Sequence, residues 1–569
     1  MKLALTLISS AAVLLYSQRA EACGCFTPPD PTVPVVQAGE RILFSVLNGQ
    51  VTAHIQVQYS GASGAEFGWL LPLPSVPTLE LGTDELFTQL TLVTQPRYRM
   101  DTVIPLECQR FANGGGLSSG SGGAAGGGTG GSGGFADAGS AGPPSPLVVQ
   151  DSVGPYDYAV LRADSKTEML KWLQTNRYFV PVGTDDSVAP YIRPGAYFLA
   201  LKLRAGNTTG DLLPVVLHYQ SDVGAIPITL TSTGATQNMG VQVWMLGKGR
   251  AIPRNYAHTV INDAVIDWPS SGSNYNDVII RAVGEAPGKH TFVTEYAGAT
   301  TVMQNVLTPA GRYGTREELA SKGTPEEFID YLFFKRFTAI SSLTPFAGPV
   351  LPGPLKATLL KYLPPPAGVN ADTFFSNYRY FKDQAPRANY QPQAMADEIW
   401  ERVVIPNERA QAMFDAQSKL TRLYSTISPQ DMNKDPAFSF NSELPDVSNV
   451  HKATMTVTCS PGGSERDARL TTEQGFVLEY PNGRFGQVGI DRNTLPASLI
   501  IELLREEGAA QNVVNNLPVM SEMVIPLPDD GTPLRSCGCD AGPSLLLLGV
   551  VVLLRRRSVS LSLRQRGEG

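Results

Sequence analysis

Strict alternation is the first signal along the chain. Val51, Ala53, Ile55 and Val57 share one face of an extended segment, and Thr52, His54, Gln56 and Gln58 share the other. That is the period of a strand with one buried side. Residues 42–46 and 51–59 flank Asn48-Gly49. Both central positions of a tight turn tolerate positive φ in those residues, so a hairpin is predicted. On this reading His54 is a solvated strand histidine on the wet face. Residues 67–73 read as a further strand, stopped by Pro72, Pro74 and Pro77. Thr83 then caps a short helix over 83–92, with Glu85-Leu86-Phe87 following.

Further on, Ser165 caps a segment in which Met169-Leu170 and Trp172-Leu173 recur at helical spacing. Strands are predicted over 158–161, 197–203, 212–219 and 291–296, and 226–230 is expected to pair with 241–246. Residues 315–345 and 392–424 are helical by period. In the second, Ala394, Ile399, Val403, Ala410, Met413, Phe414 and Leu420 make an apolar stripe that Pro406 interrupts. Residues 437–530 return to short strands with turns such as Asn482-Gly483. The pattern predicts an α+β fold: a β-rich multi-domain protein with a helical insert.

Its expected organisation is a signal peptide (1–22), a β-rich N-terminal domain (23–111), a Gly/Ser-rich linker (112–146) and a mixed α/β region (147–314). A helical region (315–430), a β-rich C-terminal region (431–536) and a sorting or anchor tail (537–569) follow. A chain of 569 residues is long enough for several domains, and 42% hydrophobic residues exclude global disorder. Only 17% are charged, while 55 Gly and 44 Pro fit a turn-rich protein. The net charge of −7 argues against a dedicated nucleic-acid binder. Fifteen glycines in 112–146 predict a flexible coil with an end-to-end distance of roughly 30–35 Å. Its two G-x-S-x-G matches, 116–120 and 130–134, lack the strand and helix that a nucleophile elbow requires.

Both ends read as addresses. Lys2, an apolar stretch over 3–16 and the A-x-A box Ala20-Glu21-Ala22 predict cleavage after Ala22, leaving Cys23 first. At the other end Cys537-Gly538-Cys539 precedes an apolar run over 545–554 and Arg555-Arg556-Arg557. Some 10 to 14 apolar residues reach about 15–21 Å, short of a ~30 Å hydrocarbon core. These three elements in order resemble the MYXO-CTERM sorting tails of myxobacterial surface proteins, from which this chain departs by twelve residues after the arginines. The resemblance implies cleavage near the cysteines by a sorting protease and retention at the surface, with Cys537 or Cys539 as the retention point. A plain short C-terminal anchor is the alternative. Without both ends the chain carries 38 basic and 49 acidic residues, a net charge of −11.

The remaining chemistry is sparse. An exported chain permits disulfides, and Cys108 is the expected partner of Cys23 or Cys25; Cys-Gly-Cys is too tight for a zinc pair. The five histidines are scattered singly, without H-E-x-x-H, and no phosphate-binding loop is present. Asp263/Asp267 and Asp185/Asp186 read as solvated loop acids, and Asn274-Tyr275-Asn276-Asp277 as turn residues between strands. Trp244 and the aromatics of Gly195-Ala196-Tyr197-Phe198 read as core.

Several short motifs carry a second resemblance. Gln37-Ala38-Gly39-Glu40-Arg41-Ile42, Gly68-Trp69 before Pro72-Leu73-Pro74, Gly195-Ala196-Tyr197-Phe198, and the stretch 240–246 before Pro253 are among them. Asn255-Tyr256, Tyr296-Ala297-Gly298 and the stretch 444–451 complete the set. Over about residues 23–460 the chain resembles DUF2330, an uncharacterised bacterial family. The resemblance implies an exported envelope protein and supplies no reaction, cofactor or catalytic residue. The expected function is a non-enzymatic adhesion or scaffolding module at the cell surface or outer membrane, the alternative a secreted hydrolase. Its expected partners are the export machinery, a sorting protease and the membrane, through the tail or a lipid; no nucleic acid and no cofactor is expected.

Overall fold

The computed structural model describes residues 36–60, 68–104, 145–176, 184–204, 212–337, 351–384, 389–459, 466–480, 492–523 and 525–526. Ala22, Cys23, Cys25, Cys108, Cys537, Cys539, most of the glycine-rich tract and Asn482-Gly483 lie outside the described residues.

The chain begins with strands β1 (Val36–Leu47), β2 (Gln50–Ser60), β3 (Gly68–Leu73), β4 (Thr78–Leu81) and β5 (Arg97–Val103). Then come β6 (Leu147–Val153), β7 (Tyr156–Arg162), β8 (Tyr197–Leu203), β9 (Val215–Gln220) and β10 (Gly224–Ala225). Next are β11 (Ala235–Gly247), β12 (Arg250–Pro253), β13 (Ala257–Ile261), β14 (Thr291–Ala299), β15 (Lys419–Ile427) and β16 (Ala437–Asn441). Strands β17 (Val450–Cys459), β18 (Arg466–Thr472), β19 (Phe476–Tyr480), β20 (Ser498–Leu503) and β21 (Gln511–Asn515) follow.

Ten of them form one sheet in the order β21-β20-β13-β14-β15-β11-β1-β2-β9-β4. The pairs β1/β11 and β13/β14 are parallel, and their neighbours are antiparallel. This sheet takes strands from both sides of the helical stretch that separates β14 from β15. The β1–β2 hairpin closes at Asn48-Gly49 with φ of 52° and 76°, the left-handed conformation a two-residue hairpin turn needs.

Both faces of the large sheet are covered. On one, β3-β8-β7-β6 pack as a second sheet, and Ile42, Phe44, Ile55, Leu71, Leu199 and Leu217 share one core. On the other, the helices Asp84–Thr94 and Ile405–Ala416 bring Leu86, Phe87 and Phe414 against Leu43, Trp244 and Leu246. A third sheet holds β19-β18-β17-β5 in that order, packed with the helix Tyr275–Glu285. The helices between residues 316 and 404 build their own core around Phe328, Leu355, Phe374 and Ile399. The result is the mixed α+β, β-rich arrangement that the hydrophobic pattern predicts.

Local signals place helix starts well. Thr83 Oγ1 accepts from the Glu85 N–H (3.2 Å), and Ser165 Oγ from that of Glu168 (3.4 Å). Four expectations need correction. His54 is 3% exposed rather than wet. It stands opposite Leu43, on the face that the two helices cover, and burial with His218 nearby lowers its pKa to about 3. Residues 226–230 do not pair with 241–246: Pro227, with no N–H to give a ladder, leads into a helical turn at Ile228–Thr231, while β11 pairs with β1 and β15. The helical pattern over 392–424 ends at Ala416, and Leu420 joins the same apolar cluster from strand β15. Pro406 does not break the helix either. The chain widens into a π-helical turn at Trp400–Val404, which accommodates the missing N–H, and continues as Ile405–Ala416.

Candidate functional site

Gly39-Glu40-Arg41-Ile42 lies near the start of β1, in the interior of the large sheet. Successive side chains in a strand point to opposite faces. Glu40 therefore shares a face with Ile42 and Phe44, and Arg41 shares the other with Leu43. Glu40 borders a cavity on its own face, and both residues border a second one on the face of Arg41.

The first cavity, about 260 Å³, lies between the large sheet and the edge strand β3. Ile42, Phe44, Ala53, Ile55, Leu217 and Tyr219 form its floor, and Leu71, Leu73 and Pro74 face them. At its border Asp435 is held by three donors: the Tyr191 hydroxyl (2.7 Å), the Thr229 N–H (2.9 Å) and the Thr229 hydroxyl (2.8 Å). Glu40 is 4% exposed, and its Oε2 has no hydrogen-bond partner among the described residues. Burial alone pushes its carboxyl up to about 7. A buried carboxyl oxygen without a partner is costly. One beside an apolar hollow marks a place where a ligand's polar group can be met.

The second cavity, about 500 Å³, opens on the opposite face over β1, β11 and β15. Under it runs a buried polar network. Arg422 donates from Nε to Glu295 Oε2, from Nη2 to Gln242 Oε1 (2.8 Å) and from Nη1 to Thr94 Oγ1 (3.3 Å). Its guanidinium lies 5.3 Å from the centre of the Trp244 ring, whose Nε1 donates to the same Thr94 hydroxyl (3.0 Å). The Tyr275 hydroxyl donates to Glu295 Oε1 (2.8 Å). Gly240 allows the Tyr424 ring to lie over β11, since a Cβ there would sit 3.0 Å from its hydroxyl oxygen.

Other ionisable clusters stand apart from both cavities. His258 Nδ1 is 3.0 Å from Glu502 Oε1, and Arg250 Nη2 donates to Thr294 Oγ1 (3.1 Å). The His451 ring stacks on Tyr98 at 4.7 Å, with Nδ1 3.8 Å from Asp263 Oδ1. Asp263 and Asp267 are not solvated loop acids: Asp263 is buried and pushed up to about 7, with Glu473 adding to the effect, and Asp267 pairs with Arg492 at 3.3 Å. Asn274-Tyr275-Asn276-Asp277 opens the helix Tyr275–Glu285 instead of joining strands. Trp244 and Phe198 are fully buried, as expected of core aromatics. Among the described residues no group of three or more His, Cys, Asp or Glu is placed to hold a metal ion, and no helix is long and apolar enough to cross a membrane.

The processing and disulfide cysteines expected from sequence lie outside the described residues, so the site rests on groups that sequence reasoning passed over. Glu40 and Arg41 had one available signal, two adjacent charges inside an otherwise apolar strand.

A family of uncharacterised proteins conserved in bacteria (DUF2330) matches residues 18–332, more than half of the chain, and the chain belongs to it. That span contains Glu40, Arg41, Gln242 and Glu295; Arg422 and the stretch 444–451 fall beyond it. No curated protein and no solved structure matches the chain.

Proposed function

We propose that this protein is a non-enzymatic binding module of the bacterial cell envelope, an adhesion or scaffolding protein that holds a small, mainly apolar ligand between its ten-stranded sheet and the sheet that contains β3. The observation that carries this reading is Glu40, a buried carboxyl whose Oε2 has no partner among the described residues, beside a cavity walled by Ile42, Phe44, Ile55, Leu71 and Leu217. Apolar walls supply affinity, and one polar group fixes orientation. The reading extends to address: export with cleavage after Ala22, processing by a sorting protease near Cys537 or Cys539, and retention at the cell surface or outer membrane. The apolar run and arginines of the tail support it.

The hydrolase reading has one observation in its favour. A carboxyl held at about 7 is tuned for general acid or base work. Protein purified from its own envelope without detergent, then denatured and analysed by mass spectrometry, separates the readings. An intact apolar molecule in near-stoichiometric amount, absent from Ala53→Phe, is expected, on a chain beginning at Cys23 and lacking 545–557. Recovery of nothing from the wild type, or of cleaved products that Glu40→Gln ceases to form, would overturn the binding-module reading.

A further inference from the structure

The cleft on the Arg41 face has chemistry unlike that of the apolar pocket. A guanidinium carries five N–H donors in a planar fork that matches a carboxylate. Among the described residues, that of Arg41 meets one acceptor, Gln56 Oε1 at 3.4 Å, a long contact. It is half-buried; burial and then the nearby Arg422 cation disfavour its charge, and Asp84 favours it.

Among the residues that line the cleft, none supplies Arg41 with a full counter-charge. Glu295 is taken up by Arg422 and Tyr275. Asp84 offsets part of the Arg41 charge from behind Gln56, whose Nε2 donates to Asp84 Oδ1 (2.5 Å), but burial pushes its carboxyl up and it does not line the cleft. Glu40 borders the cleft, but burial holds its carboxyl at about 7, so near neutral pH it supplies only part of a counter-charge. An anion beside Arg41 would complete the balance.

The rest of the lining narrows what carries the anion. Gln95, Asn238 and Asn276 offer amides and Tyr424 a phenol oxygen, while Gln242 and Tyr275 are taken up by Arg422, the Leu423 carbonyl and Glu295. The Tyr424 hydroxyl donates to Asn276 Oδ1 (3.0 Å), which leaves the Asn276 NH2 group without a partner among the described residues. Uncharged donors and acceptors beside aromatic rings suit a molecule rich in hydroxyls. A cleft of about 500 Å³ is far larger than an inorganic oxyanion needs. The floor lies on strands in the interior of the sheet, so no open strand edge is there to pair with a peptide backbone.

We propose that this cleft is a second binding site, independent of the apolar pocket, for a carboxylate-bearing saccharide, with Arg41 taking the carboxylate and the amides of Gln95, Asn238 and Asn276 and the Tyr424 phenol its hydroxyls. Such a site would give a surface protein a direct grip on acidic polysaccharide.

The test is titration of the full chain with glucuronate, glucose and acetate, followed by NMR. Glucuronate is expected to bind about tenfold or more tightly than either comparator, because neither carries both halves of the recognition. Arg41→Gln should weaken glucuronate about tenfold and leave glucose unchanged. Asn238→Asp is the second variant. Asn238 already has φ of 52°, which Asp adopts with little penalty, so the fold is kept while a repelling carboxylate is added at the cleft; glucuronate should weaken by a larger factor than glucose, which loses only the amide donor. Ala53→Phe fills the apolar pocket and should leave glucuronate binding intact, so the two sites fail separately. Equal binding of glucuronate and acetate would reduce the site to a simple anion contact and overturn the saccharide reading. Equal binding of glucuronate and glucose, or wild-type glucuronate binding by both Arg41→Gln and Asn238→Asp, would overturn the role of Arg41.

Discussion

Glu295→Ala is expected to destabilise the protein by about 3–5 kcal/mol, the usual cost of leaving one partner of a buried ion pair alone. The Glu295 side chain is 1% exposed and that of Arg422 9%, so water cannot replace the lost carboxylate. Arg422 would keep Gln242 Oε1 and the Thr94 hydroxyl, neither of which carries charge. The Tyr275 hydroxyl would lose its acceptor as well. Denaturant unfolding of Glu295→Ala, Arg422→Met and the pair Glu295→Leu/Arg422→Met checks this. The double variant should recover much of the loss, because two apolar side chains of similar size remove the desolvation penalty along with the attraction. Additive losses would mean that the two residues act separately.

Glu40→Gln is expected to change the pH dependence of stability. The Glu40 carboxyl rises from 4.5 to about 7 on folding, so between those values the folded state binds more protons than the unfolded one. Stability therefore falls as pH rises from 4.5 through about 7 and levels off above. At 1.36 kcal/mol per unit, the wild type should lose about 3 kcal/mol across that window relative to Glu40→Gln. Unfolding midpoints of both proteins at pH 4.5, 6, 7 and 8 measure the difference. Parallel profiles would mean that Glu40 is solvated or already paired. His54, lowered by burial, titrates in the opposite sense in both proteins and cancels in the comparison.

What sequence could tell about this fold was local. The hairpin at Asn48-Gly49 and the caps at Thr83 and Ser165 depend on residues within a few positions of one another, and the structure places all of them as expected. Alternation in β2 correctly separated two faces, yet it could not show that helices from residues 84–94 and 405–416 cover the second. His54 was misplaced for that reason. The buried network was out of reach because its members are far apart: Glu295 and Arg422 are separated by 127 positions and Gln242 and Arg422 by 180. Arg422 also lies where the apolar spacing of 392–424 reads as helix, though it belongs to β15. Glu40 and Arg41 are visible in a motif whose chemistry appears only once β3 supplies the wall opposite Glu40 and the helix Tyr275–Glu285 borders the cleft beside Arg41.

The apolar pocket is tested most directly by methyl NMR of the protein titrated with octanol, whose hydroxyl can meet the Glu40 carboxyl while its chain lies along the floor. Intermolecular NOEs to Ile42, Ile55 and Leu217 methyls, saturable in the wild type and lost in Ala53→Phe, are the expected result. Octanol taken to its solubility limit without NOEs to those methyls, or with NOEs that survive Ala53→Phe unchanged, would contradict a ligand site between the sheets.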